Sequence, residues 1–78
     1  MEILKSEVTN TQKECCAILS LREAVALIAA NENVSYENAL LKFARTPIYS
    51  ALFDFSTGIW KESAVYVAWL FTNYVKTH

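Results

Sequence analysis

The chain holds one proline, Pro47, and one glycine, Gly58, and the stretch around that glycine, DFSTGIWKES at 54–63, decides what the rest can fold into. A β-hairpin centred on Gly58 requires strands at 51–55 and 59–61. Neither flank alternates polar and apolar residues for long enough, and Thr46-Pro47 starts a helix just upstream, with proline at a first helical position where its missing N–H costs nothing. The stretch is therefore read as a helix junction. Gly58 takes the positive φ that ends a helix at low steric cost, and Ser63 caps the helix that follows.

With no linker of biased composition and no internal repeat, the 78 residues offer no seam for a second domain. The expected fold is all-α, a compact bundle of about four helices at roughly 11–31, 36–45, 47–55 and 64–76. Residues 11–78 form the single domain, and the polar, aperiodic residues 1–10 form an N-terminal arm. Thr11-Gln12-Lys13-Glu14 has capping-box spacing for the first helix, whose inward stripe is Ile18, Leu21, Val25, Ile28 and Ala29, with Cys16 and Leu27 opposite. Ser20-Leu21-Arg22-Glu23 is a second capping box, so a break at Ser20 stays open. Ser35 caps the second helix, which turns Tyr36, Ala39, Leu40 and Phe43 inward. The last helix has a core stripe of Ala64, Val67, Phe71, Tyr74 and Val75, although Val65, Val67, Trp69 and Phe71 also alternate as a strand would.

A chain this short buries only about 60–65% of its unfolded surface, so it needs a rich core. The hydrophobic fraction of 54% supplies one, and the charged fraction of 19% leaves apolar surface over. Seven Lys and Arg against eight Asp and Glu give a net charge of −1, which sets up no field to gather nucleic acid or an anionic membrane. The longest uncharged run, 63–75, is 13 residues, short of the roughly 20 that span a bilayer. No signal peptide is expected from a start interrupted by charge every few residues. The two cysteines, Cys15 and Cys16, are adjacent and the one histidine is His78, so a reduced, cytoplasmic protein is expected.

The same inventory argues against catalysis. No internal histidine stands as a base for Ser, Thr or Cys, no His or Cys lies at ligand spacing for a metal, and one glycine cannot make a phosphate cradle. Asp54 and Glu62 flank the junction, but each reads more simply as a solvated charge than as an acid–base partner. No enzyme, cofactor or metal is expected. The helices at 36–45 and 47–55 resemble a helix-turn-helix, which makes a DNA-binding regulator the alternative function. Its recognition helix would be PIYSALFDF, which carries Asp54 and no Lys or Arg, so binding to nucleic acid is not expected.

The helix at 64–76 carries the functional expectation. Opposite its core stripe lie Val65, Tyr66 and Trp69, preceded in sequence by Trp60. Tyr and Trp are enriched in protein interfaces, which makes these four residues the candidate contact for a protein partner or a homodimer. The alternative is that the first helix, or the arm through Ile3 and Leu4, covers them.

From Val34 onward three motifs occur in order: Val34-Ser35 with Ala39-Leu40, then Thr46, Tyr49 and Leu52, then Asp54 with Thr57-Gly58-Ile59-Trp60. In this the stretch 34–63 resembles a family of small uncharacterised bacterial helical proteins, whose last helix typically opens with Gly-Pro where this chain has Ser63-Ala64. Members are often encoded beside ADP-ribosyltransferase-type toxins. The resemblance implies a non-enzymatic protein-interaction domain, an accessory or antitoxin-like partner of a bacterial toxin, and no catalytic residue.

Overall fold

A computed structural model describes residues 10–77. They form four α-helices: α1 (Asn10–Glu32), α2 (Tyr36–Ala44), α3 (Pro47–Phe53) and α4 (Ala64–Thr77), with no strand among the described residues. Two single-turn 3-10 helices, Phe55–Thr57 and Ile59–Lys61, join α3 to α4. The strand reading of 64–74 and the hairpin at Gly58 both give way to helix.

The long α1 is the mast against which everything else packs. Its helix is already formed at Asn10, so Thr11 sits inside it and the capping box expected there does not form. The rest of the arm, 1–9, lies outside the described residues. No break occurs at Ser20, whose hydroxyl instead donates across to the Glu62 carbonyl at 3.4 Å. The end of α1 is set by Asn33, which takes the left-handed conformation at φ 58°. The Asn33 N–H then bonds Ala30 O and the Val34 N–H bonds Ala29 O, a Schellman closure. Val34 thereby turns back onto the core.

The core joins Ala17, Ala24, Val25 and Ile28 of α1 to Ala39 and Phe43 of α2, Leu52 of α3, and Val67, Ala68 and Phe71 of α4. Phe43 is its centre, with the Phe71 ring 5.7 Å away and the Tyr49 ring edge-on at 6.3 Å. Three expected core positions are corrected. Ile18 is exposed, because the buried face of α1 is centred on Ala17 and Ala24, whose small side chains let neighbouring elements approach closely. Tyr36 is exposed beside Leu19 and Ala26 on the outer side of α1. Val75 is exposed because α1 stops too early to cover it. Val65 lies beside Ala26 and Leu27, and Trp69 beside Leu27 and Asn31, so the two helices run the same way and the last turn of α4 passes the end of α1 at Glu32.

Local chemistry sets the turns. Ser35 caps α2, its hydroxyl accepting from the Asn38 N–H at 3.1 Å. Thr46 occupies the cap position of α3 ahead of Pro47, but its buried hydroxyl donates back to Phe43 O at 2.8 Å and locks the α2–α3 turn. The helix α3 ends at Phe53, two residues earlier than expected, because Asp54 turns extended and its carboxylate accepts from the Ser56 N–H and hydroxyl at 3.2 and 2.7 Å. Gly58 takes φ 77°, between the two 3-10 turns rather than at the end of α3. The quoted stretch is a helix junction with two short turns built into it.

Candidate functional site

The helix α4 is launched by Ser63, whose hydroxyl accepts from the Tyr66 N–H at 3.2 Å. Burial of Val67, Ala68 and Phe71 then fixes its rotation. At 100° per residue, Val65, Tyr66 and Trp69 must point away, and their exposures are 68%, 42% and 56%. The rings of Tyr66 and Trp69 lie 5.9 Å apart with planes 18° from parallel, so they form one flat aromatic surface. The polar residues beyond them are satisfied within the helix: Thr72 donates to Ala68 O and Asn73 donates to Trp69 O.

The mast extends this surface. Leu27, 37% exposed, stands beside Val65 and Trp69, and with Ala68, Thr72 and Asn31 they line a shallow groove of about 330 Å³ along the α1–α4 seam. Leu27 was visible in the sequence only as an apolar residue on the wrong side of its helix.

Trp60, the fourth sequence candidate, is placed elsewhere. It is half-buried against the core, its indole N–H donates to Phe55 O at 3.1 Å, and its ring meets Phe55 edge-on at 6.3 Å. The Lys13 ammonium sits 5.7 Å from the Trp60 ring centroid and 5.9 Å from that of Phe55. This cation–π contact ties the first part of α1 to the junction. Trp60 therefore holds the base from which α4 starts, apart from the Tyr66–Trp69 face.

The other constellations have local occupations. The Asp54 carboxyl is held below its ordinary pKa by the Ser56 hydroxyl, then by the Ser56 N–H, with a small opposing effect of desolvation. Cys15 and Cys16 are exposed free thiols. Among the described residues no three of His, Cys, Asp and Glu approach closely enough to hold a metal ion. The helix α3 has Leu52 buried, Ile48 and Phe53 against the core, and Tyr49 against Phe53 at 5.3 Å. Its apolar side chains are engaged in packing. Among the described residues no helix is long and apolar enough to cross a membrane.

Compared with known proteins, the chain matches no family model, no curated protein and no solved structure.

Proposed function

We propose that the protein is a non-enzymatic interaction domain that binds another protein through the outer face of α4. The observation that carries this reading is the exposed, stacked pair of Tyr66 and Trp69, continued by Val65 and by Leu27 of α1. Burying side chains of this kind is worth about 1.5–3 kcal/mol each. Leaving them all in water forgoes several kcal/mol in a domain whose total stability is of order 5–10 kcal/mol. The resemblance of 34–63 adds the biological setting, an accessory or antitoxin-like partner of a bacterial toxin. The two exposed, unpaired thiols fit a reducing compartment such as the cytoplasm.

The competing reading, a helix-turn-helix regulator, asks α3 to enter the major groove. From Pro47 to Phe53 it has no cation to meet a phosphate, and Leu52 is withdrawn into the core.

The test is the variant Trp69→Asp. Its far-ultraviolet circular dichroism stays helical, while proteins that co-purify with the wild type, or the second copy in sedimentation, are lost. Unfolding of that variant would make Trp69 part of the core and end this reading. Association with the partner should change little with salt, whereas DNA binding would fall by about one logarithmic unit per phosphate contacted for each tenfold rise in salt.

A further inference from the structure

Among the described residues the longest stretch without a fully buried side chain runs from Phe53 to Tyr66 and contains the whole α3–α4 junction. Its two 3-10 turns are bracketed by extended backbone, at Asp54 (φ −93°, ψ 98°) and at Glu62 (φ −86°, ψ 167°). Their backbone bonds close over three residues: the Thr57 N–H bonds Asp54 O, the Lys61 N–H bonds Gly58 O and the Glu62 N–H bonds Ile59 O.

Side chains join the two turns into one piece. The Trp60 indole N–H donates to Phe55 O at 3.1 Å, the two rings meet edge-on, and the Ile59 N–H donates to Thr57 Oγ1 at 3.2 Å. The Thr57 hydroxyl anchors this piece to the last turn of α3, donating to Ala51 O at 2.8 Å. Its fastening to α1 is weaker. Phe55, Ile59 and Trp60 are only partly buried, the Ser20 hydroxyl reaches Glu62 O over a long 3.4 Å, and the Lys13 ammonium lies 5.7 Å from the Trp60 ring centroid and 5.9 Å from that of Phe55.

Few buried apolar contacts and short-range hydrogen bonds characterise segments that open at low free energy while the rest of a domain stays folded. We infer that residues 55–61 are a strap that lifts from α1 as a unit, with Lys13 as its latch, whatever binds the α4 face. Lys13 makes one contact that both turns share, Phe55 from the first and Trp60 from the second, so its release frees them together. No member of the buried core lies in the strap, so the helices stay packed without it. Lifting bares Phe55, Ile59 and Trp60 and opens the groove that Trp60 and Lys61 line with Cys16 and Leu19 of α1.

Native-state hydrogen exchange on the full chain tests this, read at the Thr57, Lys61 and Glu62 amides and, for the core, at those of Ile28 and Phe71. In the wild type the three junction amides exchange at least about tenfold faster than the core pair and share one dependence on denaturant. Phe43→Leu loosens the core and speeds Ile28 and Phe71 about fivefold, while the junction amides stay within about twofold, because the lifted state keeps the core. Lys13→Met keeps the aliphatic stem without the charge and speeds the three junction amides together, by about three- to tenfold. Lys13→Arg, which keeps a cation over the rings, holds them within about twofold of wild type. Junction amides that exchange at the core rate, or that speed up with the core in Phe43→Leu, would overturn the strap. Junction amides unmoved by Lys13→Met, or moved by unequal factors, would overturn the latch.

Discussion

Tyr66 and Trp69, one turn apart on α4, hold their rings 5.9 Å apart and 18° from parallel while each remains substantially exposed. A stacked pair at the surface is a contact element built before any partner arrives, which lowers the entropy lost on binding. Replacing Tyr66 by alanine is expected to weaken association about tenfold. It should alter unfolding stability by no more than about 1 kcal/mol, because Tyr66 lies outside the core cluster and keeps 42% of its surface in water. Paired urea unfolding and sedimentation measurements on Tyr66→Ala check both halves; a loss of stability without a loss of association would contradict the expectation.

The opposite behaviour is expected at Phe43. It is fully buried between Phe71 and Tyr49. Phe43→Ala removes the central ring of the core and costs about 3–5 kcal/mol, most of the stability of a domain this small. Circular dichroism should show the loss of cooperative unfolding, whereas Phe43→Leu, which keeps most of the volume, should still melt cooperatively.

Among the described residues two adopt positive φ, and the same physics gives their substitutions opposite signs. Gly58 sits at φ 77°, and a Cβ there would meet only the Lys61 Cε at 3.6 Å, an ordinary contact. Gly58→Ala therefore costs only the left-handed backbone penalty, about 1–2 kcal/mol. Asn33 already bears that penalty at φ 58°, so Asn33→Gly is expected to stabilise by about 0.5 kcal/mol. Chemical denaturation midpoints at constant slope would show both shifts.

Asp54 gives the junction an acid-sensitive point. The Ser56 hydroxyl and N–H bond its ionised form and lower its folded pKa, so its contribution is fully present above the unfolded value of about 3.9. It is lost as the pH falls below that value and through the lower folded one. Thermal melts should show no pH effect from this group near neutrality. Below about pH 4 the wild type should lose more stability than Asp54→Asn, which keeps the acceptor oxygen without the titration. Equal slopes for the two proteins in that acid window would remove Asp54 from the account.

Some of this organisation was legible residue by residue. Ser35 and Ser63 announced their helices because a hydroxyl at a cap satisfies a backbone donor only a few residues away. Thr46-Pro47 marked the start of α3, and Gly58 marked a positive φ, for equally local reasons. The first helix lies where the sequence placed it to within a residue, but the capping box at Thr11 does not form because the helix is already running at Asn10. The Asn33 closure is also a local signal, since Asn in left-handed backbone commonly ends a helix.

The sequence by itself determined that the chain folds into helices, where they break, and that Val65, Tyr66 and Trp69 oppose the core stripe of α4, because periodicity and capping act within a few residues. Tertiary structure alone decided which apolar residues are covered. The helix α1 is apolar on more than one side, so only the packing of α2, α4 and the junction shows that Ala17 and Ala24 face inward while Ile18, Leu19 and Leu27 face out. Trp60 was drawn away from its neighbours in sequence by a backbone carbonyl five residues back and an ammonium on α1. Leu27 joined Val65 and Trp69 because two helices far apart in sequence run side by side, and no local pattern encodes that adjacency.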